Sequence, residues 1–222
     1  MTGSLRVSRL LTSNEAPERD NRIDRLRGLA VVLMVVDHLL VAATAVMVER
    51  PTLMTLGRLT LVDCLRLLTR PSLPLFAVCS GVLLSRRSST SVRRLAQIGV
   101  AAAVSQVMFT PIAGMPDIDV LVVFLAAILM WPLARGHLVE TIVLGIVAAT
   151  NLPPFPHGLT GYSVGLVLAF MAVGAAVARS GPEDALGAAR RLPSGFGRLG
   201  RRPITAYLIH LFAVRLLLIA VL

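Results

Sequence analysis

The chain has 222 residues, 55% of them hydrophobic and only 15% charged, with a mean hydropathy of +0.78. The apolar residues come in long runs rather than short alternating faces, which excludes a large soluble domain and points to helices that cross a bilayer, since about 20 helical residues cover its hydrocarbon core. The net charge of +10 comes from 22 basic residues, all arginine; most stand between apolar runs, where membrane topology accounts for them, so nucleic acid is not an expected partner.

In lipid every backbone polar group needs an internal partner, so each apolar run is a helix. The expected fold class is all-α, a polytopic transmembrane bundle of about seven spans. Residues 1–27, with six arginines and four acids, read as a cytoplasmic tail with room for a short interfacial helix at its end, and residues 28–222 as a single transmembrane domain. The first span is expected over Gly28–Val48. Ala43-Thr44-Ala45 has the form of a signal-peptide cleavage site, but the charged stretch before the run is too long, and Asp37-His38 interrupts it. The second span is expected near Leu61–Leu84, kinked or broken by Pro71 and Pro74. Further spans are expected at about Leu95–Ile112, Ile118–Leu133, Leu138–Leu152 and Tyr162–Ala178. The basic segment 179–203 reads as interfacial, and the last span as Ile204–Leu222. Cys64 and Cys79, about 22 Å apart if helical, lie beyond disulfide reach.

Arginine bias orients the spans. With the N-terminus inside, the inside segments hold the six tail arginines, Arg86, Arg87, Arg93, Arg94, Arg135, and then Arg179, Arg190, Arg191, Arg198, Arg201 and Arg202. Only Arg50 and Arg58 fall outside.

Ionisable residues inside spans are costly and point to function. His38 lies about 15 Å along the first span, near the bilayer midplane. Arg27 precedes it by eleven residues, almost three turns, so the two share a face within about 20°. Asp24 is placed to pair with Arg27. Asp37 points about 100° away from His38, yet belongs to the same polar pair and stands with it as a candidate catalytic residue. In the second span Asp63, Arg66 and Arg70 fall on one helical face and leave a spare positive charge for a phosphate or carboxylate. Structural alternatives stand beside these readings: His38 bonding a neighbouring helix, and an internal ion-pair network around Asp63. Ser80-Gly81 supplies small residues for close helix approach. Ser105-Gln106 reads as interhelical hydrogen bonding, Glu140 as a snorkelling span end, and His137 and His157 as interfacial. Tyr207 and His210 share a face of the last span, and Arg215 is deep enough to need a partner. No metal-ligand spacing and no phosphate-loop motif occurs.

The run Ile23-Asp24-Arg25-Leu26-Arg27-Gly28-Leu29-Ala30, continuing through Met34 to Asp37-His38, resembles the first-helix signature of membrane acyltransferases. Its Met-x-x-Asp-His ending is most similar to the TraX pilin-acetylase and heparan-α-glucosaminide N-acetyltransferase families. Thr69-Arg70-Pro71-Ser72-Leu73-Pro74-Leu75-Phe76 followed by Ser80-Gly81 is similar to a second block of those families, and Arg94-Leu95 with Ser105-Gln106 looks TraX-like. Gly200-Arg201-Arg202-Pro203 through Tyr207 to His210 resembles their closing helix. About seven spans, rather than the ten usual in the acyltransferase-3 family, fits TraX better.

The resemblance implies an enzyme that transfers an acetyl group from acetyl-CoA to an amine or hydroxyl of an envelope protein, glycan or lipid-linked sugar. His38 would act as general base, Asp24 and Arg27 would hold the CoA phosphates, and Asp63, Arg66, Arg70, Ser80, Tyr207 and His210 would line the substrate cavity. The expected partners are the lipid bilayer, acyl-CoA, the acceptor and, among open arrangements, a second copy in a homo-oligomer. Two readings of other classes remain: a transporter or flippase for an anionic substrate, and a non-catalytic assembly partner in the membrane.

Overall fold

The computed structural model describes residues 20–47, 55–56, 59–60, 65, 67–86, 90–113, 119–151, 163–181 and 186–221. The described residues form eight α-helices, a 3-10 turn at Gly187–Arg191 and a two-residue antiparallel pairing of β1 (Thr55–Leu56) with β2 (Leu59–Thr60). The helices are α1 (Asn21–Met47), α2 (Ser72–Ser85), α3 (Val92–Ala113), α4 (Val120–Ala134), α5 (Leu138–Asn151), α6 (Val164–Arg179), α7 (Ser194–Arg201) and α8 (Pro203–Val221). The all-helical class stands; the short β pairing was not anticipated.

α1 starts at Asn21, inside the segment expected to be tail. The Asp20 carboxylate accepts from the backbone N–H of Arg22 at 3.0 Å, which satisfies one orphan donor of the first turn. It also holds the side chains of Arg22 and Arg86 at 3.0 and 3.3 Å. Burial alone would raise this carboxyl; the bonds and charge of Arg22, with Arg86, hold it below its ordinary value.

Pro71 breaks the expected second span, whereas Pro74 does not. Residues 67–69 are helical, the chain turns at Arg70 and Pro71, and Pro71 caps α2. Pro74 falls in the first helical turn, where a missing N–H breaks no bond. Leu67–Ser85 is long and apolar enough to cross a membrane, whereas Val120–Ala134, Leu138–Val147, Val164–Arg179 and Pro203–Leu217 are apolar but shorter, at 10–17 residues.

α6 is a central helix, packed on α2, α4 and α5; α1 packs on α2, α7 and α8, and α3 joins α4 to α8. Glycines set the closest approaches. A Cβ on Gly81 would overlap the Met171 carbonyl, and one on Gly174 the Val78 carbonyl, so α2 and α6 meet backbone to backbone. Gly28 and Gly200 do the same for α1 and α7, against Phe196 and Asp24. The core under α6 is apolar: Val167, Met171, Ala172 and Ala175 are fully buried, with Phe124, Ala127 and Trp131 of α4 packed there. The outer faces are apolar too. Val107, Leu133, Val139, Leu144 and Ile209 are each more than 60% exposed, a surface that fits lipid better than water.

Candidate functional site: a cavity with arginine at its mouth and histidine at its depth

A cavity of about 150 Å³ opens between α1, α2, α3, α4 and α8. One end lies where α1 begins, α2 ends and α3 begins; Arg27, Thr90 and Arg94 line it there. Arg27 is buried, pairs with Asp24 at 3.9 Å, and sets its guanidinium 5.5 Å from the Phe76 ring centroid, a cation–π distance. The middle is walled by Met34, Leu73, Phe76, Leu83, Ile98, Phe124 and Ile128. Asp37, His38, Arg70, Asp119 and Tyr207 line the other end.

His38 Nδ1 lies 2.8 Å from His210 Nε2, a hydrogen bond whose direction follows the tautomer. The two rings stack with centroids 5.0 Å apart, and Tyr207 packs edge-on against His210. One bond thereby joins the motif of the first span to that of the last. Asp37 accepts from the buried Thr69 hydroxyl at 2.7 Å, which ties α1 to the turn that presents Arg70.

Sequence reasoning missed Asp119. It is 2% exposed and is the hub of the cavity's deep end. Oδ1 accepts from the Leu121 backbone N–H at 2.7 Å and the Ser105 hydroxyl at 2.8 Å, and Oδ2 from the Tyr207 hydroxyl at 2.7 Å. The Asp119 N–H donates to Gln106 Oε1 at 2.8 Å. Ser105 and Gln106 therefore join helices, as their polarity suggested. The available signal was an acid directly before an apolar run, the signature of a helix N-cap, and Asp119 does cap α4.

Ser80 also lines the cavity. Asp63, Arg66, Cys64 and His157 lie outside the described residues. Arg215 turns away and donates to the Met108 carbonyl at 3.2 Å. Glu140 is exposed beside His137 at 3.9 Å, and Cys79 is a buried free thiol. Among the described residues no three His, Cys, Asp or Glu side chains gather as a metal site.

The model of the TraX protein family matches residues 22–180. The chain belongs to the TraX family. No curated protein and no solved structure matches it. The TraX match contains Arg27, His38, Thr69, Arg70, Arg94 and Asp119, and so most of the cavity wall. Tyr207 and His210 lie beyond the matched residues, and α8 brings them to Asp119 and His38.

Proposed function

We propose that this TraX-family chain is an integral membrane acyltransferase that moves an acetyl group from acetyl-CoA to an amine or hydroxyl of an envelope acceptor. The observation that carries the reading is a single cavity with a buried guanidinium at one end and an imidazole at the other. The rise from Arg27 to His38 is about 16 Å, comparable with an extended pantetheine arm. The donor set fits an anionic carrier: Arg27, steadied by Asp24, together with Arg94 would hold phosphate, and the apolar middle would take the arm.

When His38 Nδ1 donates to His210 Nε2, His38 Nε2 is the basic nitrogen of the ring. That nitrogen takes the acceptor's proton as its N or O attacks the thioester carbonyl. The acyl bond to the acceptor would form as the C–S bond breaks, and protonated His38 would pass the proton to the departing thiolate, so that coenzyme A leaves as the thiol and the imidazole is neutral again. Arg70 supplies positive charge at the end of the cavity where the carbonyl oxygen becomes anionic.

The same reading places about seven spans in the membrane with the N-terminus inside. α1, Leu67–Ser85, α3, α4, α5, α6 and α8 supply the spans, with α7 along the interface. Contacts between arginine-rich segments support one common side: Arg86 on Asp20, Arg25 on the carbonyls of Arg190 and Leu192, and Arg179 on the carbonyl of Arg135.

The test is acetyl-CoA-dependent labelling of envelope acceptors by proteoliposomes. His38→Ala and Arg27→Ala should each abolish labelling, the second with weaker acetyl-CoA binding. Full transfer by both variants would sink the reading, and movement of an anionic solute without acyl turnover would favour a transporter.

A further inference from the structure

On the side of α1 and α8 away from the cavity, a second concavity of about 470 Å³ runs along the bundle surface. Its walls are Val32, Val35 and Val36 of α1 and Ile209 of α8, with His210 among its lining. Arg198 and Arg202, at the α7 end, are its charged residues. Over the groove's length an apolar slot therefore leads away from two exposed arginines.

The local sequence explains the charge. Residues 186–202 hold five arginines and no acid. The segment is pinned to the bundle by Arg25, which donates to the carbonyls of Arg190 and Leu192 at 2.6 and 2.9 Å. Gly197 and Gly200 are buried in α7, with Gly200 against α1, whereas Arg198 and Arg202 are exposed. At the apolar end, Val36 and Leu39 of α1 and Phe212 of α8 are more than 40% exposed, so the slot continues into the lipid-facing surface.

We infer that this groove binds one anionic phospholipid, its phosphate on Arg198 and Arg202 and one acyl chain along Val32, Val35 and Ile209. Charge complementarity selects the occupant. Two exposed arginines, with no acid among the groove's lining residues, favour a headgroup of net negative charge over a zwitterionic one, and the apolar slot favours a phosphate that carries an acyl chain over free phosphate. The inference rests on the membrane-embedded reading above but not on acyl transfer.

Native mass spectrometry of the full chain in detergent, offered phosphatidylglycerol, phosphatidylcholine or inorganic phosphate, tests it. Phosphatidylglycerol should remain as a one-to-one adduct, and Arg198→Gln with Arg202→Gln should reduce its retention about tenfold. Arg93→Gln, on exposed α3, should not. A diazirine-bearing acyl chain of phosphatidylglycerol should crosslink to the α1 and α8 segments around Val35 and Ile209. Equal retention of phosphatidylcholine, an adduct indifferent to the double substitution, or crosslinks elsewhere would overturn the assignment. Recovery of the chain outside the membrane fraction would instead overturn the membrane reading on which it stands.

Discussion

At the scale of single residues, the site rests on two bonds that join distant parts of the chain. His38 and His210 are 172 residues apart. Both were candidates from their own motifs, and a bond from His38 to a neighbouring helix was one of the readings; that His210 supplies it was not legible, because no helical periodicity pairs residues so far apart. If His210 orients His38, then His210→Phe should lower kcat for acetyl transfer about tenfold, a fraction of the 10²–10⁴ that a general base contributes. KM for acetyl-CoA should stay within about twofold, because Arg27 is untouched. His210→Gln, which keeps a hydrogen-bonding group, should recover much of the rate; a purely structural role would give equal losses in both variants and a changed KM. Asp119 was unread for a different reason. An acid at the edge of an apolar run reads as interfacial, and only packing shows that it is buried under Tyr207. Asp119→Asn keeps the shape but replaces charge-assisted bonds by weaker ones and turns an amide toward donors, so it should cost about 1.5–3 kcal/mol. The check is thermal unfolding in detergent: an unchanged midpoint would show that Asp119 does not hold α3, α4 and α8 together.

At the scale of elements, the helices were read well because apolar run length is a local property. α3, α5, α6 and α8 begin and end within a few residues of the expected spans. α1 runs on without a break through the charged Asn21–Arg27 turns, where the sequence suggests a tail ending in a short interfacial helix ahead of the span. The structure shows what tolerates those charges: Asp24 and Arg27 pair with each other, and Arg22 pairs with Asp20. The role of glycine was legible only as small-residue composition. Ser80-Gly81 suggested close approach, but that Gly81 faces Met171, and Gly174 faces Val78, depends on the register of two helices. Gly174→Leu would drive a side chain into the Val78 backbone, which cannot retreat as a flexible side chain would. Overpacking of this kind costs about 1–3 kcal/mol even where side chains can move, and here the loss should be at the upper end or beyond. The expected result is little folded protein by size exclusion in detergent. Gly136→Leu, in open space between α4 and α5, should behave as the unaltered chain, and equal behaviour of the two variants would contradict the backbone contact.

At the scale of the whole molecule, the seven-span reading and the contacts between charged ends bear on one question, which side each end faces. Arginine bias alone would be weak if the second span failed to cross, because every later segment would then reverse. Arg86 on Asp20 joins the end of α2 to the start of α1, and Arg179 on Arg135 joins the end of α6 to the end of α4. An odd number of missed crossings between the two members of a pair would put that pair on opposite faces of the bilayer, so the first contact bears on α1 and α2 and the second on α5 and α6. The arrangement therefore predicts that Ser91, Gly136 and Ser180, each exposed and each at an arginine-rich turn, face the same compartment. With Cys64 replaced by serine and the buried Cys79 retained, single cysteines at those three positions should resist a membrane-impermeant maleimide in intact spheroplasts and react in inverted vesicles. The stronger result is agreement among the three, since it tests the bundle rather than one span. If the cysteine at 91 reacted from one side and that at 136 from the other, α3 and α4 would not form a complete hairpin. The cavity they line with α1, α2 and α8 would then need a different assembly.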